Sequence, residues 1–220
     1  MAQGPRSTSG VRIHMFSPTA AGDDITADVD SVTAANPAVL VGTGFTVQPG
    51  DMVYVTGTGV SAIDDQYWPA GAASSATNIV LLGADNSAGG TALDPAFEVT
   101  VFGDAQLTDL CLSSLEISRD SPPVIDTATF CSLTSTVQGA KIAAGTMAIA
   151  GFVDITGTDY TEILAADLDG KKRIFRVTLP DNGFLIAEGT IGGLTWQVPL
   201  DGAIAFSATI TLASAPKHRY

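Results

Sequence analysis

Very little in this sequence can react. Cysteine occurs twice, at Cys111 and Cys131, and histidine twice, at His14 and His218, in 220 residues. The cysteines have no Cys-x-x-Cys spacing and no histidine close by, which argues against a zinc ribbon or a dithiol redox motif. They are expected to be reduced core thiols, as in a cytosol-made protein, with a disulfide open only if both lie on facing strands. The histidines sit near the two ends, and no Gly-x-Ser-x-Gly is present, so a hydrolytic triad finds no support. The glycine clusters Gly42-x-Gly44, Gly57-x-Gly59 and Gly189-x-x-Gly192-Gly193 lack the third glycine and the helix of a dinucleotide loop, and there is no Walker A lysine. Turn glycines explain them, and no cofactor is expected.

Positive charge is scarce as well. Ten Lys and Arg face 23 Asp and Glu, for a net charge of −13. Such a chain is not built to grip nucleic acid, because that grip comes from cations on phosphates. Long apolar runs are missing: Ile79–Leu82 is among the longest, far below a membrane span. Met1 to Phe16 is polar and mildly basic with no continuous apolar core, so no secretory signal and no membrane partner are expected. Charged residues make up only 15%, so Ser, Thr, Gly, Asn and Ala must cover much of the surface.

The charge that is present is uneven. Residues 1–19 carry Arg6 and Arg12 and no acid, whereas residues 20–130 hold fifteen acids and one base, Arg119. In a self-associating protein a basic arm bearing Arg6 and Arg12 can dock on a neighbour's acidic surface, where complementarity sets orientation. A solvated tail is the plain alternative. Carboxylate pairs occur at Asp23-Asp24, Asp28-x-Asp30 and Asp64-Asp65. Asp167-x-Asp169-Gly170 starts like a calcium loop but lacks its later ligands, so no metal site is expected. Asp126 beside Asp154 or Glu116 offers no general acid that strands could position. A sugar platform at Tyr67-Trp68 or Trp196 is weakly supported, because aromatics are only 7% and scattered. Trp196, alternating with Leu194 and Val198, reads more simply as core.

Nearly every patterned segment is β. Met52–Val55 and Ile79–Leu82 are short apolar runs bounded by turn residues. Phe97–Phe102, Leu110–Ser118, Val124–Phe130, Met147–Ile155, Arg173–Leu179, Phe184–Ala187, Ile191–Val198 and Ala203–Leu212 continue the series. In the last, Ile204, Phe206, Ala208, Ile210 and Leu212 share one face and Ser207, Thr209 and Thr211 the other, as in a half-exposed antiparallel sheet. A single helix is predicted at about 158–169, with Tyr160, Ile163, Leu164, Asp167 and Leu168 as its stripe. Thr158 or Asp159 is its expected cap, Glu162 completes a capping box, and Gly170 is the stop. The fold class is therefore mainly β: an antiparallel sandwich or barrel with one helix. Residues 25–93, with their own turn–strand rhythm and Ala/Gly/Ser-rich flanks, read as a small inserted β-module, leaving 1–24 and 94–220 as the sandwich with its N-terminal arm.

Several segments after Leu110 carry a family resemblance: Leu115-Glu116-Ile117-Ser118-Arg119-Asp120, Val124–Phe130, the helix Tyr160–Leu168, Thr178–Gly183 and Trp196–Ser207. In these, about half of the chain resembles the major tail tube proteins of long-tailed bacteriophages. The insert resembles small β-modules of phage virion proteins, except that Asp64-Asp65-Gln66-Tyr67-Trp68 departs from their usual Leu-Asn-Gly-Gln. The resemblance implies a structural virion protein and no enzyme. Its copies would form hexameric rings stacked into a hollow tube, with inner sheets closing into a barrel and the module outside. Implied partners are the protein itself, a tape-measure protein, tail terminator and tip proteins, and double-stranded DNA in transit. The implied location is the virion tail, assembled in the host bacterial cytoplasm. Acid suits such a lumen, since a cationic wall would hold passing phosphates. Glu116, Asp126 and Asp154, each interrupting an apolar or small-residue strand, are the lumen-facing candidates. The alternative is a surface-displayed β-sandwich adhesin or decoration protein that binds a host carbohydrate.

Overall fold

The computed structural model describes residues 12–17, 22–91, 93–103, 106–118, 124–126, 137–139, 144–154, 157–179, 183–199, 203–214 and 216–219. The fold is mainly antiparallel β with one helix among these residues. In chain order the first strands are β1 Arg12–Phe16, β2 Asp23–Asp24, β3 Val29–Val32, β4 Ala38–Gly42, β5 Met52–Thr56, β6 Gln66–Pro69, β7 Asn78–Leu81, β8 Glu98–Phe102 and β9 Thr108–Asp109. There follow β10 Leu112–Ser118, β11 Val124–Asp126, β12 Val137–Gly139, β13 Thr146–Phe152, helix α1 Thr158–Asp169, β14 Lys172–Thr178, β15 Phe184–Gln197, β16 Ala205–Leu212 and β17 Lys217–Arg219. The chain divides into two compact units. Of the described residues, one takes those within Cys111–Arg173 and Ala187–Pro216; the other takes those within 12–110, Ile174–Ile186 and 217–219.

The first unit is built on the path β10–β13–β16–β15. Phe206, Ala208, Ile210 and Leu212 of β16 are buried and Ser207, Thr209 and Thr211 exposed as expected, but Ile204, expected on the buried face, lies ahead of the strand and is 38% exposed. Met147 and Ile149 of β13 and Ile191 of β15 join them inside. Helix α1 buries Ile163 and Ala166, and its Tyr160 ring packs on Phe206 at 5.8 Å. Gly170 ends the helix in the left-handed conformation that glycine adopts without strain. A separate two-stranded pairing joins β11 to β12, with Asp126 opposite Val137.

Five further expectations fail here. The cap is Gly157, without a side-chain hydrogen bond; an Asp159 carboxylate oxygen instead accepts from the Cys111 amide at 3.4 Å. The helix seam runs through Ile163 and Ala166, so Leu168, well round the cylinder, is 77% exposed. Residues 184–197 form one strand rather than two, because antiparallel pairing with β16 carries it past Gly189 and Gly192. A register shift between Gly192 and Thr195, with Gly193 at φ +67°, then turns the strand. Leu194 stays buried but Trp196 is 49% and Val198 72% exposed, so Trp196 is not core. Cys111 is exposed too, not a core thiol, and Cys131 lies outside the described residues.

In the second unit, β1 pairs antiparallel with β14 and with β9, and β17 pairs with β15 at Phe184–Ile186. The same unit holds two small sheets, β3–β4–β7 and β2–β8–β5–β6. Their shared core is drawn entirely from residues between Ile25 and Val101, including Leu40, Val53, Ile63, Trp68 and Ile79. Trp68 is 1% exposed and donates Nε1–H to the Ile63 carbonyl at 3.0 Å, so Tyr67-Trp68 is no open sugar platform. A second, smaller core gathers Phe16, Met52, Phe102, Leu107, Ile174 and Ile186, with Tyr54 and Tyr67 against it.

Candidate assembly surface

The site is the outer face of the sheet β10–β13–β16–β15. Residues directly opposite in antiparallel strands share a face, so the registers define rows across it. One row is Ser118, Thr146, Thr211 and Thr190; the next is Glu116, Ala148, Thr209 and Gly192; the third is Ser114, Ala150, Ser207 and Thr195. Every side chain in these rows is small or hydroxylic except Glu116, the single charge. The Thr195 and Ser207 hydroxyls are 2.8 Å apart across the ladder, and Ser113 Oγ donates to the Ala150 carbonyl at 3.1 Å. Because Ala and Gly take the middle positions, the face dips into a shallow concavity of about 240 Å³ lined by Ser114, Glu116, Ala148, Gly193, Ser207 and Thr209 among others. In the sheet order β10 is the outermost strand among the described residues, its Ile117 36% exposed.

The sequence candidates fall in different places. Glu116 stands on this face, exposed, opposite Ala148. Asp126 is on the separate β11–β12 pair. Asp154 is exposed and lies beyond the end of β13 at Phe152, in the turn where its carbonyl accepts from the Gly157 amide at 2.9 Å; it does not interrupt a strand. Arg12 is exposed at the start of β1, opposite Thr178, and Arg6 lies outside the described residues.

Several of the acids accept hydrogen bonds from residues close in sequence. Hydrogen bonds from Thr26 hold Asp24 below the usual carboxylate range, and those from Ser87 do the same for Asp85. Asp64 accepts from the Thr58 amide at 2.8 Å and also from its hydroxyl, and Asp65 accepts from the Thr56 hydroxyl at 2.5 Å. Asp169 is lowered chiefly by its bond from Arg173, whose Nη2 lies 2.7 Å away, and also by the Lys171 amide. Among the described residues no three His, Cys, Asp or Glu come together as a metal-binding group, and no helix is long and apolar enough to cross a membrane.

One cluster escaped the sequence. Trp196, Val198 and Ile204 are exposed near the ends of β15 and β16, and Phe152 ends β13 at 59% exposure. Trp196 Nε1 donates to the Tyr160 hydroxyl at 2.7 Å. Only the strand bulge brings it there, and no composition signal marks it.

No protein-family model and no curated protein matches the chain. Several solved structures are similar to it, among them the following two. One, described as the tail of an empty GTA particle computed with helical refinement in C6 symmetry, is 16% identical, with 53% of this chain and 89% of that chain covered and a TM-score of 0.44. The other, the virion of a native gene transfer agent particle, is 17% identical, with 54% and 92% covered and a TM-score of 0.44.

Proposed function

We propose that this chain is a structural virion protein, the subunit of a phage tail tube. Its copies self-assemble into stacked hexameric rings around a tape-measure protein, capped by terminator and tip proteins, and later let double-stranded DNA pass. It acts in the virion tail after assembly in the host cytoplasm, without catalysis. The reading starts from the resemblance of segments such as Leu115–Asp120 and Trp196–Ser207 to tail tube proteins.

The observation that supports it is the outer face of β10–β13–β16–β15. Three rows of small side chains with one carboxylate and no cation make a wall that gives phosphates nothing to dock on. Strand β10, outermost among the described residues, also lacks Lys and Pro, the usual guards of a sheet edge, and an open edge invites a strand from a neighbour. Arg6 and Arg12 fit the role of a basic arm on an acidic neighbour.

Negative-stain electron microscopy of the concentrated protein, with light scattering across salt, tests this. Rings or tubes are expected. Uniform small particles at every concentration would overturn it and favour a decoration or adhesin protein.

A further inference from the structure

The module and part of the sheet share one compact unit, and a buried cation lies between them. Arg176 of β14 is 5% exposed. Its Nη1 donates to the carbonyl of Gly50, which stands in the Pro49-Gly50-Asp51 turn ahead of β5. The guanidinium carbon lies over the Phe184 ring, 6.0 Å from its centre, at the outer reach of a cation–π contact. Gly50 has φ +94°, a left-handed conformation that calls for glycine, while a Cβ there would meet Arg176 Nη1 only in ordinary contact at 3.5 Å. The turn is itself well made: the Gly50 amide donates to the Ala70 carbonyl and the Ala70 amide to the Asp51 carbonyl, each at 2.8 Å.

Beside this polar contact lies an apolar one. Phe16 of β1 meets Tyr67 of β6 edge-on at 5.7 Å and Phe102 of β8 at 5.1 Å. Ile174 of β14 and Ile186 of β15 complete that core. Yet the module's main core is closed within Ile25 to Val101 and draws nothing from β1, β14 or β15. The module thus has two separable sets of interactions, one that folds it and one that holds it.

We propose that Arg176 is a clamp: with Gly50 and Phe184 it fixes the module's orientation on β14 and β15, so that the module is carried rigidly and does not swing on its linkers. Residues 22–103 contain ten acids and no Lys or Arg, so a fixed module presents a fixed anionic surface from each copy. The clamp does not depend on tube formation, and its test is made on the chain without assembly.

Hydrogen–deuterium exchange on the full-length Arg176→Met variant reads the clamp directly. Removing the donor takes away the side-chain partner of the half-buried Gly50 carbonyl, which loosens the turn. The Gly50, Asp51 and Ala70 amides are expected to exchange about tenfold faster, while the β4–β7 ladder at Leu40 and Ile79 keeps its protection. Phe184→Leu, which keeps the hydrogen bond and removes the ring, is expected to give a smaller change at the same amides, and serves alone if Arg176→Met does not fold. Unchanged exchange in the turn, or equal acceleration of turn and ladder, would overturn the clamp.

Discussion

Trp196 and Tyr160 are joined by a hydrogen bond of 2.7 Å from the indole Nε1 to the phenol oxygen, linking the end of β15 to the first turn of α1. That turn has no side-chain cap, and this contact and the Tyr160–Phe206 packing help to hold it, beside the bond from the Cys111 amide to Asp159. Tyr160→Phe keeps the ring and removes the acceptor, and is expected to cost about 0.5–1 kcal/mol because water can still reach the indole. Trp196→Ala also loses the packing, and is expected to cost about 1–2 kcal/mol. Urea midpoints compare the two, and equal losses would mean that the hydrogen bond is the whole contact.

The end of the same helix is sensitive to acid. Asp169, held below the usual 3.8 by Arg173 and then by the Lys171 amide, favours the folded state while it is ionised. Its folded pKa lies below the unfolded one, so this contribution is present above the unfolded pKa and is lost as pH falls through the folded one. The group is exposed, so the effect is modest. Asp169→Asn is expected to lower stability at neutral pH and to converge with the wild type once pH is well below 3.8, read as melting temperature against pH.

We propose that the small module is a folding unit by itself. Residues 22–103, expressed alone, are expected to unfold in one cooperative transition by circular dichroism, because their core closes between Ile25 and Val101. Removing residues 30–92 from the whole chain is expected to be less benign. Phe16, Leu107, Ile174 and Ile186 lose their cover, at about 1.5–3 kcal/mol for each side chain that becomes fully exposed. A deletion variant as heat-resistant as the parent would show that this second core contributes little.

Glu116 tests the proposed lumen. As the single charge in the three rows it can be reversed without touching the core: Glu116→Lys is expected to leave assembly intact under the microscope. Repeated along a tube, the new cations would bind passing phosphates, slowing DNA ejection and making its rate strongly dependent on salt. Normal ejection from virions with intact mutant tubes would place Glu116 away from the DNA. Asp154, beyond the strand end, makes the matched control and is expected to have a smaller effect.

Much of this protein is legible one strand at a time. The alternation of Phe206, Ala208, Ile210 and Leu212 against Ser207, Thr209 and Thr211 determines which face of β16 is wet, because side chains on a strand must alternate. Helix α1 ends where Gly170 stands, since no other residue takes the left-handed turn so readily. The poverty of cations is a property of composition alone. Tertiary structure decided the rest. Trp196 comes out of the core because the pairing of β15 with β16 slips between Gly192 and Thr195, and a slip in register cannot be seen in one strand. Leu168 is left in water because α1 buries its Ile163 and Ala166 side, a choice the helix itself does not make. Arg176 meets Gly50 across more than a hundred residues of chain, where only folding brings a buried cation to a backbone carbonyl.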